Sequence, residues 1–343
     1  MVKAAVIGAT GYAGSELVRI LSSHKDVELA YLASHSYQGR KLSDVYPAFY
    51  SKVDLPLMED DIEKAADVSD VIFLSLPHGI ASRIVTADIL KEKVVIDLGA
   101  DFRLKSIDEY KKWYGCEHYG QSLLQEAVYG LPEIHRNEIR GSHLIANPGC
   151  YTTCSILTLY PLVKHHLIKK ESIIIDAKSG VSGAGRSEKT ANLFCEVNES
   201  IKAYGVTTHR HTPEIEQELS IAAGDDVRLT FTPHLVPMQR GILSTCYASL
   251  ADGVSSIDVA DAYRDCYHGE PFVRLTPYIP ETRYVRNTNF CDISYKVDER
   301  TGRVIALGAI DNLVKGAAGQ AVENMNIAFS LNETEALEAK GGI

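Results

Sequence analysis

Short, nearly continuous apolar runs, separated by amphipathic stretches, dominate the first 150 residues. Runs at 3–7, 27–33, 68–76, 94–98 and 143–146 read as buried strands, and 15–23 as an amphipathic helix. Strands that are apolar along their whole length need cover on both faces, so alternation with helices predicts a parallel, doubly wound α/β sheet. The texture changes after residue 150. A helix is expected at 151–166, followed by strands at 172–178, 228–232, 242–250, 289–297 and 304–310 with less helix between them. That spacing predicts an α+β arrangement with a mostly antiparallel sheet. A last helix, rich in Ala and Gly, is expected at 314–330.

A chain of 343 residues exceeds what one hydrophobic core usually supports, which argues for two domains. Its formal charge of −10 argues against a nucleic-acid surface, because phosphate backbones need clustered Lys and Arg. The N-terminal apolar run meets glycines at once, unlike a signal peptide, and no apolar stretch approaches the roughly 20 residues that span a bilayer. The seven cysteines form no CxxC pair, so the thiols are expected reduced, in a cytoplasmic setting, and no metal site is expected.

Gly8, Gly11 and Gly14 fall between the first strand and the first helix, where glycines permit a tight turn and close approach of a pyrophosphate to the helix N-terminus. An NAD site usually carries Asp or Glu at the end of the second strand. Here the chain reads Ala33-Ser34-His35-Ser36, with Arg40 and Lys41 beyond, so NADP is favoured. Ser75 and Pro77, at the end of the 68–76 strand, are expected near the same cofactor.

Cys150 follows a strand and opens a helix, where the positive end of the macrodipole favours a thiolate. Cys154, one turn on, reads as a packing residue. His209 and His211 lie two apart in Thr208-His-Arg-His-Thr-Pro-Glu. If that segment is extended they point to opposite sides, which disfavours joint metal ligation. Thr212 and Pro213 look like a helix start, and Glu214 is placed to orient a histidine. The Gly/Ser-rich run from Ser179 to Arg186 and the isolated Arg103 are candidate anion cradles.

The segments GATGYAGSELVRIL, LGADFR, YGLPE, ANPGCY, SGVSGAGR, HRHTPEIEQEL and DNLVKGAAGQAVENMN together resemble the N-acetyl-γ-glutamyl-phosphate reductases of arginine biosynthesis. The resemblance implies a Rossmann-type NADP-binding domain, 1–149 with 313–343, completed by the C-terminal helix. It implies an α+β catalytic and dimerisation domain at 150–312, with a mostly antiparallel mixed sheet, and a homodimer or homotetramer. Carried over by position, Cys150 matches the nucleophile, His211 the acid/base and Glu214 a supporting carboxylate. Gly8, Thr10, Gly11, Tyr12, Ala13 and Gly14 match the phosphate-binding turn, Ser34 a 2′-phosphate contact and Asn312 a nicotinamide-side contact. Arg103, Asn147, Ser182, Arg186 and His209 complete the expected site as substrate-binding residues.

The implied reaction is attack of Cys150 on an acyl phosphate, reduction of the thioester by NADPH and release of an aldehyde. Related reductases of aminoadipyl or aspartyl phosphate, and a cofactor sensor without catalysis, stand as alternatives on sequence alone.

Overall fold

The computed structural model describes residues 1–338; the last five residues of the expected 313–343 segment lie outside the described residues. The chain divides into two compact units, one made of residues 1–148 and 317–338 and the other of residues 149–316.

The first unit holds seven strands: β1 (Val2–Ile7), β2 (Val27–Ala33), β3 (Leu57–Met58), β4 (Val71–Leu74), β5 (Val94–Asp97), β6 (Val128–Tyr129) and β7 (Leu144–Ala146). Their order is β3-β2-β1-β4-β5-β7-β6, and every neighbouring pair is parallel. The order reverses between β1 and β4, the switch point at which open α/β sheets bind ligands. The expected strand at 68–76 is shorter than its apolar run. Val68 ends a helix, Ile62–Val68, whose first N–H groups are taken by the Asp61 carboxylate, and residues 75–77 leave the sheet.

The helix Gly319–Ala328 packs on the helices Tyr12–Leu21 and Pro132–Ile139 and on β5. It is buried on all sides although it carries Asn324 and Asn326. Polar groups tolerate such burial only when bonded. The Asn324 amide donates to the Gly130 carbonyl at 2.8 Å and to Asn147 Oδ1 at 3.1 Å, and Asn326 Oδ1 meets His24 Nε2 at 2.9 Å. Residue 130 is glycine because a Cβ there would lie 2.5 Å from the Asn324 amide nitrogen.

The second unit is built on β8 (Ile174–Gly180), β9 (Lys202–Ala203), β10 (Thr230–Val236), β11 (Ile242–Ser249), β12 (Val273–Leu275), β13 (Cys291–Asp298) and β14 (Arg303–Ile310). The order β12-β13-β14-β11-β8-β10-β9 contains four antiparallel and two parallel pairings, the mixed, mostly antiparallel sheet that was expected. Along β11, Ile242, Ser244, Cys246 and Ala248 are buried while Leu243, Thr245, Tyr247 and Ser249 are half-buried, so only one face is fully covered.

The cover on that face is the helix Cys150–Lys164, which lies against β11, β13 and β14. It approaches so closely that a Cβ at Gly308 would stand 2.0 Å from Thr158 Oγ1. Pro161 cannot donate to the Leu157 carbonyl. The Tyr267 hydroxyl, from the helix Ser256–Tyr267, donates to that carbonyl instead, and Tyr263 donates to the Thr158 carbonyl at 2.6 Å. The helix expected at 314–330 opens as a π-helical turn, Val314–Ala318, whose start is held by Asp311 Oδ1 accepting the N–H groups of Leu313 and Val314.

Candidate active site

In the first unit, the turn between β1 and the helix Tyr12–Leu21 is shaped by two glycines. Gly8 has φ +85°, and a Cβ on it would lie 2.3 Å from the Ser75 carbonyl oxygen at the end of β4. A Cβ on Gly14 would lie 2.1 Å from the Gly8 carbonyl oxygen. Gly11 is less constrained, with φ −71° and its nearest neighbour at 3.5 Å. No side chain caps the helix, so the first-turn N–H groups of Tyr12, Ala13 and Gly14 face the turn, as an anion site requires. Ser75 follows β4 with its N–H on the Ile7 carbonyl, and Pro77 is exposed two residues on. These residues fit a dinucleotide pyrophosphate, because glycine at 8 and 14 lets the turn close against residue 75 and upon itself at the start of an uncapped helix.

The adenosine end differs from expectation. Ser34 is buried, and its hydroxyl lies 2.7 Å from that of Thr10. Lys41 is paired with Asp54 at 2.5 Å. The pairing of β2 with β3 brings Asp60 beside the end of β2, where its carboxyl accepts the His35 backbone N–H. The sequence reading had no carboxylate at this place, because Asp60 reaches it from the bend after the neighbouring strand. Burial pushes the Asp60 carboxyl up, and His35 partly offsets that.

Arg103 and Asn147, expected among the substrate-binding residues, are hydrogen-bonded within this unit. Arg103 donates to the carbonyls of Asn147 and Leu98, both at 2.8 Å. Asn147 is fully buried, its amide donating to the Ala317 carbonyl at 3.1 Å. Beside them Asp97, fully buried at the end of β5, has Oδ1 on the Gly99 N–H at 2.8 Å and no partner for Oδ2 among the described residues. Burial, then the nearby Asp101, pushes its carboxyl up to about 7.

In the second unit, Cys150 is the first residue of its helix, with Gly149 as N-cap. Glu214, fully buried, accepts the Gly149 N–H at 3.0 Å, and the Thr152 hydroxyl lies 2.9 Å from the same carboxylate oxygen. Glu214 was expected to orient a histidine; these two bonds place it at the entrance of the nucleophile's helix. Behind the thiol stands Gly316, whose Cβ would come 2.7 Å from Cys150 Cβ. Sequence reading passed over Gly316; its signal was the lone glycine in Asp-Asn-Leu-Val-Lys-Gly. Cys154 is fully buried, and burial and Cys291 raise its thiol, as a packing residue's would be.

The two histidines lie on a turn that enters the helix Thr212–Ala223, not on an extended segment. Their rings are therefore neighbours, with centroids 4.8 Å apart, rather than on opposite sides. The cap of the helix is His211, one residue before the expected Thr212, with Pro213 in the first turn. His209 is packed edge-to-face against Tyr151, Tyr204 and Phe231.

The loop after β8 is braced by the turn at 237–241, through Val181 N–H on the Met238 carbonyl and Ser182 N–H on the Gln239 carbonyl. The Asn312 amide donates to Ser182 Oγ at 3.0 Å and its oxygen accepts the Gly241 N–H at 2.8 Å. Asn312, expected at the nicotinamide, thus links this loop to its bracing turn. Arg186 is exposed at the loop's far end. Arg240, on the bracing turn, reaches the buried Asp311 at 3.5 Å, a cation that the motif reading did not single out. Among the described residues no cluster of His, Cys, Asp and Glu could hold a metal ion, and no helix is long and apolar enough to cross a membrane.

A glycine-shaped nucleotide turn and a helix-start cysteine fit a nicotinamide-dependent oxidoreductase that works through a thiol. Residues 3–142 match the semialdehyde dehydrogenase NAD binding domain and residues 150–312 the semialdehyde dehydrogenase dimerisation domain. The chain is 56% identical over 342 residues to an N-acetyl-gamma-glutamyl-phosphate reductase of Lachnospira eligens, covering 98% of each chain. It is 54% identical to the reductase of that name from Pelotomaculum thermopropionicum, covering 99% of each, and 53% identical to one from Campylobacter jejuni, covering 98% of each. This chain belongs to the N-acetyl-γ-glutamyl-phosphate reductase family. Among solved structures, an aspartate semialdehyde dehydrogenase of Vibrio cholerae superposes with a TM-score of 0.71 at 16% identity, covering 95% of this chain and 98% of that one. At that identity the likeness shows the fold.

Proposed function

We propose that this protein reduces N-acetyl-γ-glutamyl phosphate to N-acetylglutamate 5-semialdehyde and phosphate, with NADPH as reductant, in arginine biosynthesis. The observation that carries this reading is Cys150 at a helix start anchored by Glu214, in a chain that matches reductases of this name along 98% of its length.

The residues of the 8–14 turn hold the NADPH pyrophosphate, and the bound cofactor supplies the hydride. The Cys150 sulfur attacks the acyl carbon; a C–S bond forms, the C–O bond to phosphate breaks and phosphate leaves. Ser182 and Arg186 hold the departing anion. Reduction of the thioester places negative charge on its oxygen. His211 gives that oxygen a proton and takes it back as the C–S bond breaks, which releases the aldehyde and restores the thiolate. Glu214 fixes the start of the Cys150 helix throughout.

A second copy of the chain covers the half-buried face of the second sheet, where Leu243, Tyr247, Ile305 and Leu307 lie side by side on β11 and β14. The match of this unit to a dimerisation domain supports that reading. Light scattering across a concentration series distinguishes monomer, dimer and tetramer.

The reaction is tested in reverse, which avoids the labile acyl phosphate. N-acetylglutamate semialdehyde, NADP and inorganic phosphate are mixed with enzyme, and absorbance at 340 nm is followed. Phosphate-dependent NADPH formation that is lost in Cys150→Ser supports the reading. Equal or better turnover of aspartate semialdehyde or of an aminoadipate semialdehyde overturns the substrate assignment.

A further inference from the structure

We propose that His209 is a positioning residue rather than a substrate contact: it fixes His211 through its backbone and stays uncharged beside it. This inference rests on the reading of His211 as the proton donor.

The geometry begins with the backbone. His209 Nδ1 accepts the His211 N–H at 3.1 Å, closing the turn that enters the helix Thr212–Ala223. A ring nitrogen that accepts a hydrogen bond carries no proton, so the His209 proton sits on Nε2 and the ring is neutral. The ring has no freedom to swing. Phe231 stands at 5.3 Å, Tyr204 at 5.4 Å and Tyr151 at 5.6 Å between centroids. On another side Gly205, at φ +56°, would place a Cβ 3.3 Å from the His209 side chain. Tyr151 is itself fixed, its hydroxyl donating to the His234 carbonyl at 3.0 Å and accepting from Tyr204 at 3.2 Å. Tyr151 directly follows Cys150, so one aromatic box holds the neighbour of the thiol and the backbone of the proton donor.

Electrostatics agrees with this arrangement. The groups that face His209 are His211 and Arg210, which disfavour a charge on it, Glu214, which favours one, and the tyrosines of the box. Burial, then His211, then Arg210 outweigh Glu214 and hold the His209 imidazole down at about 3. Two imidazoles 4.8 Å apart repel when both are charged, so a neutral His209 leaves the proton of His211 uncontested.

Two substitutions separate the parts. In His209→Asn the amide oxygen is placed to accept the His211 N–H as Nδ1 does; His209→Phe keeps the ring but not the acceptor. In the reverse assay, His209→Phe is expected to lower kcat by about 10- to 100-fold, the scale of a misplaced catalytic group. KM for semialdehyde and for phosphate should stay within about twofold, and the limb of the kcat–pH profile set by His211 should move. His209→Asn should retain most of kcat and the wild-type limb. A rise in KM with kcat preserved would make His209 a substrate contact and overturn the proposal. Wild-type kinetics and pH profile in both variants, with only a lower Tm, would reduce it to packing and also overturn it. His211→Asn is run beside them: full activity there sinks the reading of His211 itself, independently of His209.

Discussion

Glu214 accepts the backbone N–H of Gly149, the residue before Cys150, from an element 65 positions further along the chain. The nucleophile's helix therefore depends on a buried carboxylate for its first turn. Glu214→Ala leaves the Gly149 N–H without that acceptor, at about 1–3 kcal/mol, while the Thr152 hydroxyl keeps the Gly149 carbonyl at 2.5 Å. Chemical denaturation should show a loss of that order, and Glu214→Gln, whose amide oxygen still accepts, should show a smaller one. Equal stability of the two variants would contradict this.

The three glycines of the nucleotide turn are predicted to differ. Gly14→Ala drives a methyl to 2.1 Å from the Gly8 carbonyl, so NADPH binding, read by quenching of cofactor fluorescence, should fall by at least about tenfold. Gly11→Ala, with φ −71° and its nearest atom at 3.5 Å, should bind within about threefold of the parent. The contrast tests the geometry, since the sequence motif treats both alike.

Asp60 is predicted to weigh against the 2′-phosphate. It brings negative charge to the end of β2, where Ser34 is buried on Thr10 and Lys41 is already paired. Asp60→Asn should strengthen NADPH binding several-fold, about three- to tenfold at low salt, with NADH little changed and the gain shrinking as salt rises. Parallel calorimetric titrations with the two cofactors check it. An equal gain for both would sink the assignment.

How much of this was legible in the sequence depended on length and on neighbours. The long strands, the turn at Gly8–Gly14 and the helix at Cys150 were readable, because each is a run of local signals. Of the five strands of two or three residues only β7 was read, within 143–146; β3, β6, β9 and β12 left no periodicity to detect. Side-chain partners were the larger gap. Asn147, Arg103 and Asn312 have the chemistry of ligand contacts, and the carbonyls and amides they also bond to are brought in by tertiary folding. The histidine pair was misread for a related reason. An extended segment separates residues two apart, but the turn at 206–211, aided by Thr207 at φ +63°, folds the two rings together.

Asp97 gives the first unit a pH dependence of known sign. Its carboxyl is raised in the folded state, to about 7 from an ordinary value of 3.8, so the native state binds the extra proton across that interval. Its favourable contribution is complete below the unfolded value and is lost as pH rises through about 7. Asp97→Asn should flatten the stability–pH curve between about 4 and 7, read by denaturant unfolding at several pH values. An unchanged slope would show that Asp97 is not the group responsible.

The bonds from Asn324 to Gly130 and Asn147 have a consequence in time. As the chain leaves the ribosome, the strands of the parallel sheet are made before the second unit, but the helix that satisfies its buried carbonyl is made after it. The second unit, contiguous from 149 to 316, emerges whole in between. The nucleotide-binding unit thus begins before the other unit and is completed after it, and a nascent chain halted before residue 319 holds an unfinished cofactor fold together with a complete set of strands for the other.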